Sequence, residues 1–174
     1  MMVIALVMLM LLACPQPVAA EPVIYDIPLT AAQQQLVYET AEQYELPYTL
    51  CLAVMATESS YDPLAKCGNS AGVMQLNSNT YPALAEDLGI EDFDVYDFAD
   101  NARAGVYKLA LERDYWRKQG YPDEEVFAAM LISYNRGRTG ALRYIERYGL
   151  EADYVNKVSA YKGALERGEY GGSW

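Results

Sequence analysis

The chain contains no histidine, so its chemistry must come from carboxylates, tyrosines, amides and cysteines. This removes the Ser-His and Cys-His pairs that activate a nucleophile, and it removes histidine-ligated zinc. The three cysteines, Cys14, Cys51 and Cys67, lack the spacing of a zinc cluster. We therefore expect no metal site and no cofactor, and we look to carboxylates for acid–base chemistry.

Glu58 is the carboxylate with the most unusual sequence context. Cys51, Val54 and Glu58 follow one another at i, i+3 and i+7, so Glu58 lies on an apolar helical stripe. An acid there is either paired for structural reasons or used in catalysis. Glu58 also ends its helix, where the helix dipole and partial burial both raise a carboxyl pKa, as a general acid at neutral pH requires. We predict that Glu58 is a catalytic acid/base.

Two further groups of polar residues stand at helix ends. A turn-rich loop covers residues 60–72 after Glu58, and Tyr134-Asn135 closes a later apolar pattern. Structurally, Tyr134 would belong to the core and Asn135 would end a helix. Functionally, both would be hydrogen-bonding groups that converge on a cleft. Spacing alone leaves both interpretations open.

Helical periodicity covers most of the chain after residue 28. The predicted helices span residues 31–45, 48–59, 79 or 80 to 88, 97–119, 122–135, 139–148 and 151–168. Thr30 is the expected N-cap of the first helix. Because there is no internal repeat and no β alternation, we predict one compact all-α domain over residues 29–170. Residues 21–28, which contain two prolines, are expected to form a linker.

The first twenty residues have the features of an export signal. Residues 1–14 are uncharged and almost all apolar, and Val18-Ala19-Ala20 offers small residues for cleavage. Leu11-Leu12-Ala13-Cys14 alternatively resembles a lipoprotein box, with Cys14 as the lipidated residue. An uncleaved N-terminal anchor is a third interpretation. We expect a secreted or cell-envelope protein with no further membrane-spanning segment.

The formal net charge of −11 lies entirely after residue 20. Such an acidic surface argues against nucleic acid and anionic lipid as partners, because phosphates need a basic surface. It says little about a glycan, whose recognition requires no charged field. Loss of Cys14 with the signal would leave Cys51 and Cys67, which could pair in an oxidising compartment. Cys51 could equally be a small buried apolar residue.

The order of short motifs after the linker resembles the soluble lytic transglycosylase family, which has a goose-lysozyme-like catalytic domain. The motifs are Leu46-Pro47, Leu52-Ala53-Val54, Glu58-Ser59, Gly72-Val73-Met74-Gln75-Leu76, Asn101-Ala102-Arg103-Ala104-Gly105, Ser133-Tyr134-Asn135, Tyr154-Val155-Asn156-Lys157-Val158 and Tyr161. Each piece is common by itself, whereas the ordered set is specific. The resemblance implies an all-α, lysozyme-like fold and a catalytic domain over residues 29–170.

This resemblance implies cleavage of the β-1,4 bond between N-acetylmuramic acid and N-acetylglucosamine in peptidoglycan. Glu58 would protonate the glycosidic oxygen and then accept a proton from the muramoyl C6 hydroxyl, which gives a 1,6-anhydro product. The substrate N-acetyl group would replace the second carboxylate that most glycosidases use. The alternatives are a lysozyme-type hydrolase and a non-catalytic peptidoglycan-binding scaffold. We expect a monomer that acts on glycan strands.

The resemblance also implies a set of substrate-binding residues. Met74 and Gln75 would line the glycan groove, the Tyr134 hydroxyl would lie near the acid, and Asn135 would fix its loop. Two positions depart from the family pattern. Cys67 stands where many members carry a serine that contacts the substrate or the acid, and a thiol is a weaker donor. Asn77 lies in a stretch that lacks a proline common in the family, and it is a candidate extra polar contact.

Overall fold

The computed structural model describes residues 21–169. The predicted signal peptide or lipoprotein signal, Cys14 included, and the final five residues lie outside this range. Within it, no helix combines the length and apolar character needed to cross a membrane. The predicted boundaries of the domain and of the export signal stay predictions.

Six helices and three very short strands make up the described chain. They are α1 (Ala31–Gln43), α2 (Tyr48–Ser59), β1 (Lys66–Cys67), β2 (Ser70–Ala71), β3 (Leu76–Asn77), α3 (Tyr81–Leu88), α4 (Phe98–Lys118), α5 (Asp123–Tyr148) and α6 (Asp153–Glu166). The prediction of a helical domain is confirmed, and the bounds of α2 are those predicted. Thr30 caps α1 in a capping box with Gln33, also as expected.

Helix α2 occupies the centre of the molecule. Every residue from Leu50 to Ala56 is buried, so this helix is apolar on all sides and must be covered all round. Helices α1 and α6 pack against it, while α4 packs against α1, α3 and α5. Cys51 is fully buried in this core and Cys67 is exposed, and both thiols are free. Of the two interpretations of Cys51, the structure supports a small buried apolar residue and shows no disulfide to Cys67.

The loop after α2 contains a sheet that the sequence pattern does not predict. Its order is β1-β2-β3, with antiparallel pairing of Lys66 to Ala71 and of Ala71 to Leu76. Strands of two residues are too short to show alternation in a sequence. The sheet gives this loop a fixed geometry beside the end of α2.

The two helices predicted at 122–135 and 139–148 form one element, α5, with a sharp kink. At Gly137 the backbone adopts φ 69° and ψ 159°, which lies outside the helical region and is readily reached by glycine alone. The predicted break after Asn135 is confirmed, because the backbone leaves the helical conformation at Gly137 and two helical segments meet there at a kink. The kink exposes residues 135–139.

Residues 21–28, the predicted linker, contain no helix, but part of this segment is held against the domain. The buried Gln34 amide donates to the carbonyls of Tyr25 and Leu29, both at 3.0 Å, and its oxygen accepts from the Tyr25 N–H at 2.8 Å. The Tyr48 hydroxyl donates to the same oxygen at 3.2 Å. Gln34 thereby satisfies its own polar atoms in a buried position.

Gly105 in α4 allows a close approach of Met74. A Cβ added at Gly105 would lie 2.7 Å from the Met74 Cβ and still closer to the Met74 sulfur. We predict that Gly105→Ala lowers the free energy of unfolding by about 1–3 kcal/mol, because the buried contact has no room for a methyl group. Urea unfolding followed by circular dichroism measures this.

Gly163→Ala is the matched control, since Gly163 also lies inside a helix. Its added Cβ would meet only the flexible end of Arg167, 3.0 Å from Nη1. Helix propensity predicts no loss, and a gain of up to about 1 kcal/mol. Equal destabilisation by the two substitutions would show that the contact with Met74 is not the cause.

Candidate active site

Glu58 is half-buried in the last turn of α2, and the end of this helix is tied to the neighbouring turn. The Ser59 hydroxyl is within hydrogen-bond distance of the carbonyls of Val73 (2.8 Å) and Met55 (3.2 Å). Ser60 then leaves the helix in the left-handed conformation, with φ 53°. These contacts fix the direction of the chain at the residue that follows the candidate acid.

The Glu58 carboxylate accepts a hydrogen bond of 2.6 Å from the Tyr154 hydroxyl of α6. Burial raises the pKa of Glu58 above that of an ordinary carboxyl, while this hydrogen bond and the Lys108 charge lower it less strongly. Burial, the Glu58 charge and the shared hydrogen bond raise the pKa of Tyr154 well above 10.0, so the phenol stays a donor. The Glu58 carboxyl can therefore keep its proton at a higher pH than an exposed acid.

Tyr134 was expected to place its hydroxyl near the acid, and the structure gives that hydroxyl another partner. Tyr134 is buried, and its hydroxyl donates to the Met74 carbonyl at 2.8 Å. Its ring still lines the cleft with Glu58, whose charge is one of the causes that raise the Tyr134 pKa. Tyr134 thus holds the turn next to the acid, and the donor to the acid is Tyr154.

The Met74 side chain does not line the cleft, which corrects the expectation of a groove-wall residue. It is fully buried, and it packs on Gly105. Its N–H donates to Asn101 Oδ1 at 2.8 Å, and the Asn101 amide donates to Ala71 and Val95 carbonyls at 3.1 and 2.8 Å. Met74 is therefore a core residue that anchors the turn, and its neighbour Gln75 faces the cleft.

Gln75 is shaped by the backbone of the same turn. Its φ is 46°, an uncommon value for a residue with a side chain. The Gln75 amide nitrogen donates to the carbonyls of Gly72 at 2.9 Å and Ala65 at 3.0 Å. The side chain consequently closes the loop that follows α2, and it contributes to the cleft wall.

A cleft of about 700 Å³ begins at Glu58. A second recess of about 330 Å³ shares Glu58, Asn135 and Arg136 with it, so the acid borders two open spaces. Five of the six predicted substrate-binding residues line the larger cleft: Cys67, Gln75, Asn77, Tyr134 and Asn135. Asn77 Oδ1 accepts from the Asn79 N–H at 3.0 Å, and Cys67 is exposed with a free thiol.

Lys108 and Glu112 of α4 also line the cleft, and neither was a predicted site residue. Glu112 is buried, and one of its oxygens accepts from the Ser133 hydroxyl at 2.6 Å and from Arg138 Nε at 3.1 Å. A lysine and an acid at i and i+4 on a helix usually form a solvated pair, so their spacing gave no reason to predict a site at Lys108 and Glu112. The sequence contains a family motif at Tyr154, but it does not indicate that Tyr154 donates a hydrogen bond to Glu58.

Among residues 21–169, no cluster of three or more cysteine and acidic side chains could bind a metal ion. The polar groups that converge on the cleft are carboxylates, amides, hydroxyls and basic side chains. Their arrangement suits proton transfer by one half-buried carboxyl within an open polar groove.

The fold is similar to that of a protein of known structure. An inactive mutant of the lytic transglycosylase Slt from Pseudomonas aeruginosa superposes with a TM-score of 0.63 at 16% sequence identity, over 77% of this chain and 24% of that one. At this identity the likeness establishes the fold. The protein thus belongs to the class of all-α, lysozyme-like domains, as predicted.

The family follows from the sequence profile described as Transglycosylase SLT domain, which matches residues 35–156. This chain belongs to the transglycosylase SLT domain family. Proteins named Membrane-bound lytic murein transglycosylase C from three strains of Haemophilus influenzae are 30% identical to it over 118 residues. The match covers 64% of this chain and 33% of each relative, so the chain spans about a third of their length.

The raised pKa of Glu58 predicts a pH-dependent effect of Glu58→Gln on stability. Because the folded state holds this proton more tightly than the unfolded chain, its contribution is complete below the ordinary carboxyl pKa and is lost as pH rises through the folded value. Glutamine cannot ionise, so Glu58→Gln should be more stable than the wild type at neutral pH, by on the order of 1 kcal/mol. Urea unfolding at several pH values measures the difference.

The difference should shrink as pH falls through the interval between the folded and the ordinary carboxyl pKa. Glu124→Gln, at an exposed position in the first turn of α5, supplies the control and should show no such gain. A constant difference across this interval would mean that ionisation of Glu58 does not couple to folding.

Proposed function

We propose that this chain is a lytic transglycosylase domain that cleaves the β-1,4 bond between N-acetylmuramic acid and N-acetylglucosamine in peptidoglycan. The observation that carries the proposal is the half-buried Glu58 carboxyl, which lines two open recesses and accepts a 2.6 Å hydrogen bond from Tyr154. Family membership and the lytic murein transglycosylases of Haemophilus influenzae support the same reaction.

The first chemical step is protonation of the glycosidic oxygen by Glu58. Burial keeps this carboxyl protonated at higher pH, and the Tyr154 hydrogen bond stabilises the carboxylate after the proton has left. The carboxylate then accepts the proton of the muramoyl C6 hydroxyl as that oxygen bonds to the anomeric carbon. The glycan leaves with a 1,6-anhydro end, and Glu58 regains the proton with which it began.

The second carboxylate that lines the larger cleft, Glu112, is already paired, which supports Glu58 as the single acid/base. Glu112 is buried, and one oxygen of its carboxylate holds the Ser133 hydroxyl and the Arg138 guanidinium. A base that activates water needs a carboxylate free to accept a proton. Glu112 is committed to its ion pair, which favours the anhydro-forming reaction over the two-carboxylate hydrolysis of a lysozyme.

The open groove suits a polymer, because the cleft and the second recess both border Glu58 and together have room for more than one sugar. We assign glycan contacts to the cleft residues Cys67, Gln75, Asn77, Tyr134 and Asn135, with Met74 supporting the wall from inside. The membrane-bound murein enzymes among the relatives support a location in the cell envelope. A released protein and one lipidated at Cys14 both fit that location.

Glu58→Gln tests the reaction directly. We predict that this variant loses at least about 100-fold of the rate of sacculus digestion, since it cannot donate or accept a proton. Mass spectrometry of the wild-type digest should show 1,6-anhydromuramoyl products. Binding of the variant to sacculi, measured by co-sedimentation, should persist because the isosteric amide preserves the groove.

Glu124→Gln, which changes an exposed acid outside the cleft, should digest at the wild-type rate. Reducing ends without anhydro products would identify a hydrolase. Sacculus binding without any cleavage by the wild type would identify a scaffold domain. Either result would overturn the proposed reaction.

A further inference from the structure

Lys108 places an ammonium group in the wall of the cleft at the middle of α4. Its Nζ donates to the Tyr134 carbonyl at 3.0 Å and lies 3.8 Å from the centre of the Tyr134 ring. The side chain is half-buried, so its charge has lost part of its hydration. A lysine in such a place is costly unless neighbouring groups compensate the charge.

The compensation comes from two acids. The charges of Glu112 and Glu58 both raise the pKa of Lys108, and burial lowers it by more. Glu112 is itself paired with Arg138 at 3.1 Å. The same cleft is lined by all four of these charged side chains: Arg138, Glu112, Lys108 and Glu58. Lys108 lines this cleft with Glu58, and its charge lowers the Glu58 pKa against the larger effect of burial.

We propose that Lys108 is a positioning residue for the reaction, whose ammonium stabilises the Glu58 carboxylate that remains after proton donation to the glycosidic oxygen. This inference rests on the proposed function. Glu58 must give up a proton and later take one back, so its carboxylate must be neither too unstable to form nor too stable to be protonated again. Burial favours the protonated form of Glu58, whereas the Tyr154 hydrogen bond and the Lys108 charge favour the carboxylate.

Several other groups near Glu58 could affect its titration. Tyr154 of α6 donates to it, Tyr134 of α5 lines the cleft with it, and Arg136, Asp153 and Lys157 line the second recess with it. Lys108 differs from the other basic residues in being half-buried on the same wall as Glu112. A test must therefore separate its charge from its packing and hydrogen bond.

Titration of Glu58 by carbon-13 NMR, compared between the wild type, Lys108→Met and Lys108→Arg, makes that separation. Methionine keeps the length of the side chain and removes the charge, so the Glu58 pKa should rise. Arginine keeps the charge, so Glu58 should titrate close to the wild-type position. Assignment uses the signal that disappears in Glu58→Gln.

The rate of sacculus digestion supplies the second readout. Lys108→Met should lower kcat roughly tenfold with little change in KM, and the alkaline limb of its pH profile should move to higher pH. Lys108→Arg should restore most of kcat. A purely structural lysine would instead change stability or KM and leave the limb where it was.

Glu112→Gln provides a test of opposite sign. Removing that negative charge leaves Lys108 and Arg138 uncompensated, so the Glu58 pKa should fall where Lys108→Met makes it rise. This arm stays informative if Lys108→Met folds poorly. Lys118→Met, at an exposed position at the end of the same helix, should leave the Glu58 titration unchanged.

An unchanged Glu58 titration in a folded Lys108→Met variant would overturn the proposed role of Lys108, whatever reaction the domain catalyses. If that variant does not fold, an unchanged titration in Glu112→Gln would do so. Failure of the proposed function would look different. In that case the Glu58 titration would move as expected while the wild type gave no anhydro product. The two proposals can therefore fail separately.

Discussion

The candidate active site centres on one partly dehydrated carboxyl group, Glu58, which accepts a short hydrogen bond. Burial at the end of α2 favours the neutral form of Glu58, and the 2.6 Å hydrogen bond from Tyr154 favours the ionised form. The first effect is the larger, so the pKa is raised. Both effects on the Glu58 pKa depend on how the helices pack. Burial arises because α2 is covered by its neighbours, and the hydrogen bond arises because α6, which contains Tyr154, packs against α2.

The turn beside the acid is held by hydrogen bonds between its backbone and the side chains of Asn101 and Tyr134. Asn101 binds both the Met74 N–H and the Ala71 carbonyl, while the Tyr134 hydroxyl binds the Met74 carbonyl. Met74 fills the space over Gly105, which lacks a Cβ that would occupy it. Helices α4 and α5 thereby hold one short turn against the end of α2. These contacts give the cleft a rigid edge, which a binding site requires.

Charge in this molecule acts locally. The formal net charge is −11, yet the cleft wall contains basic side chains, of which Arg138 pairs with Glu112 and Lys108 acts on Glu58. An overall acidic balance therefore carries no information about the field at the site. The family match covers this same region, and the relatives extend well beyond it, with about two thirds of their length outside the match.

The sequence by itself determined the helices, the family and the unusual acid. Periodicity of 3.6 residues is a local signal, and an acid on the apolar stripe of α2 is visible in that period. Tertiary structure decided which groups contact Glu58. Tyr154 lies 96 residues from Glu58, and no local pattern joins them. The resemblance to the family implied a groove position for Met74, but the structure buries this side chain, because neighbouring side chains in a tight turn point in different directions. Packing of α4 and α6 around α2 set which groups meet the carboxylate, because such contacts depend on helix orientation in space.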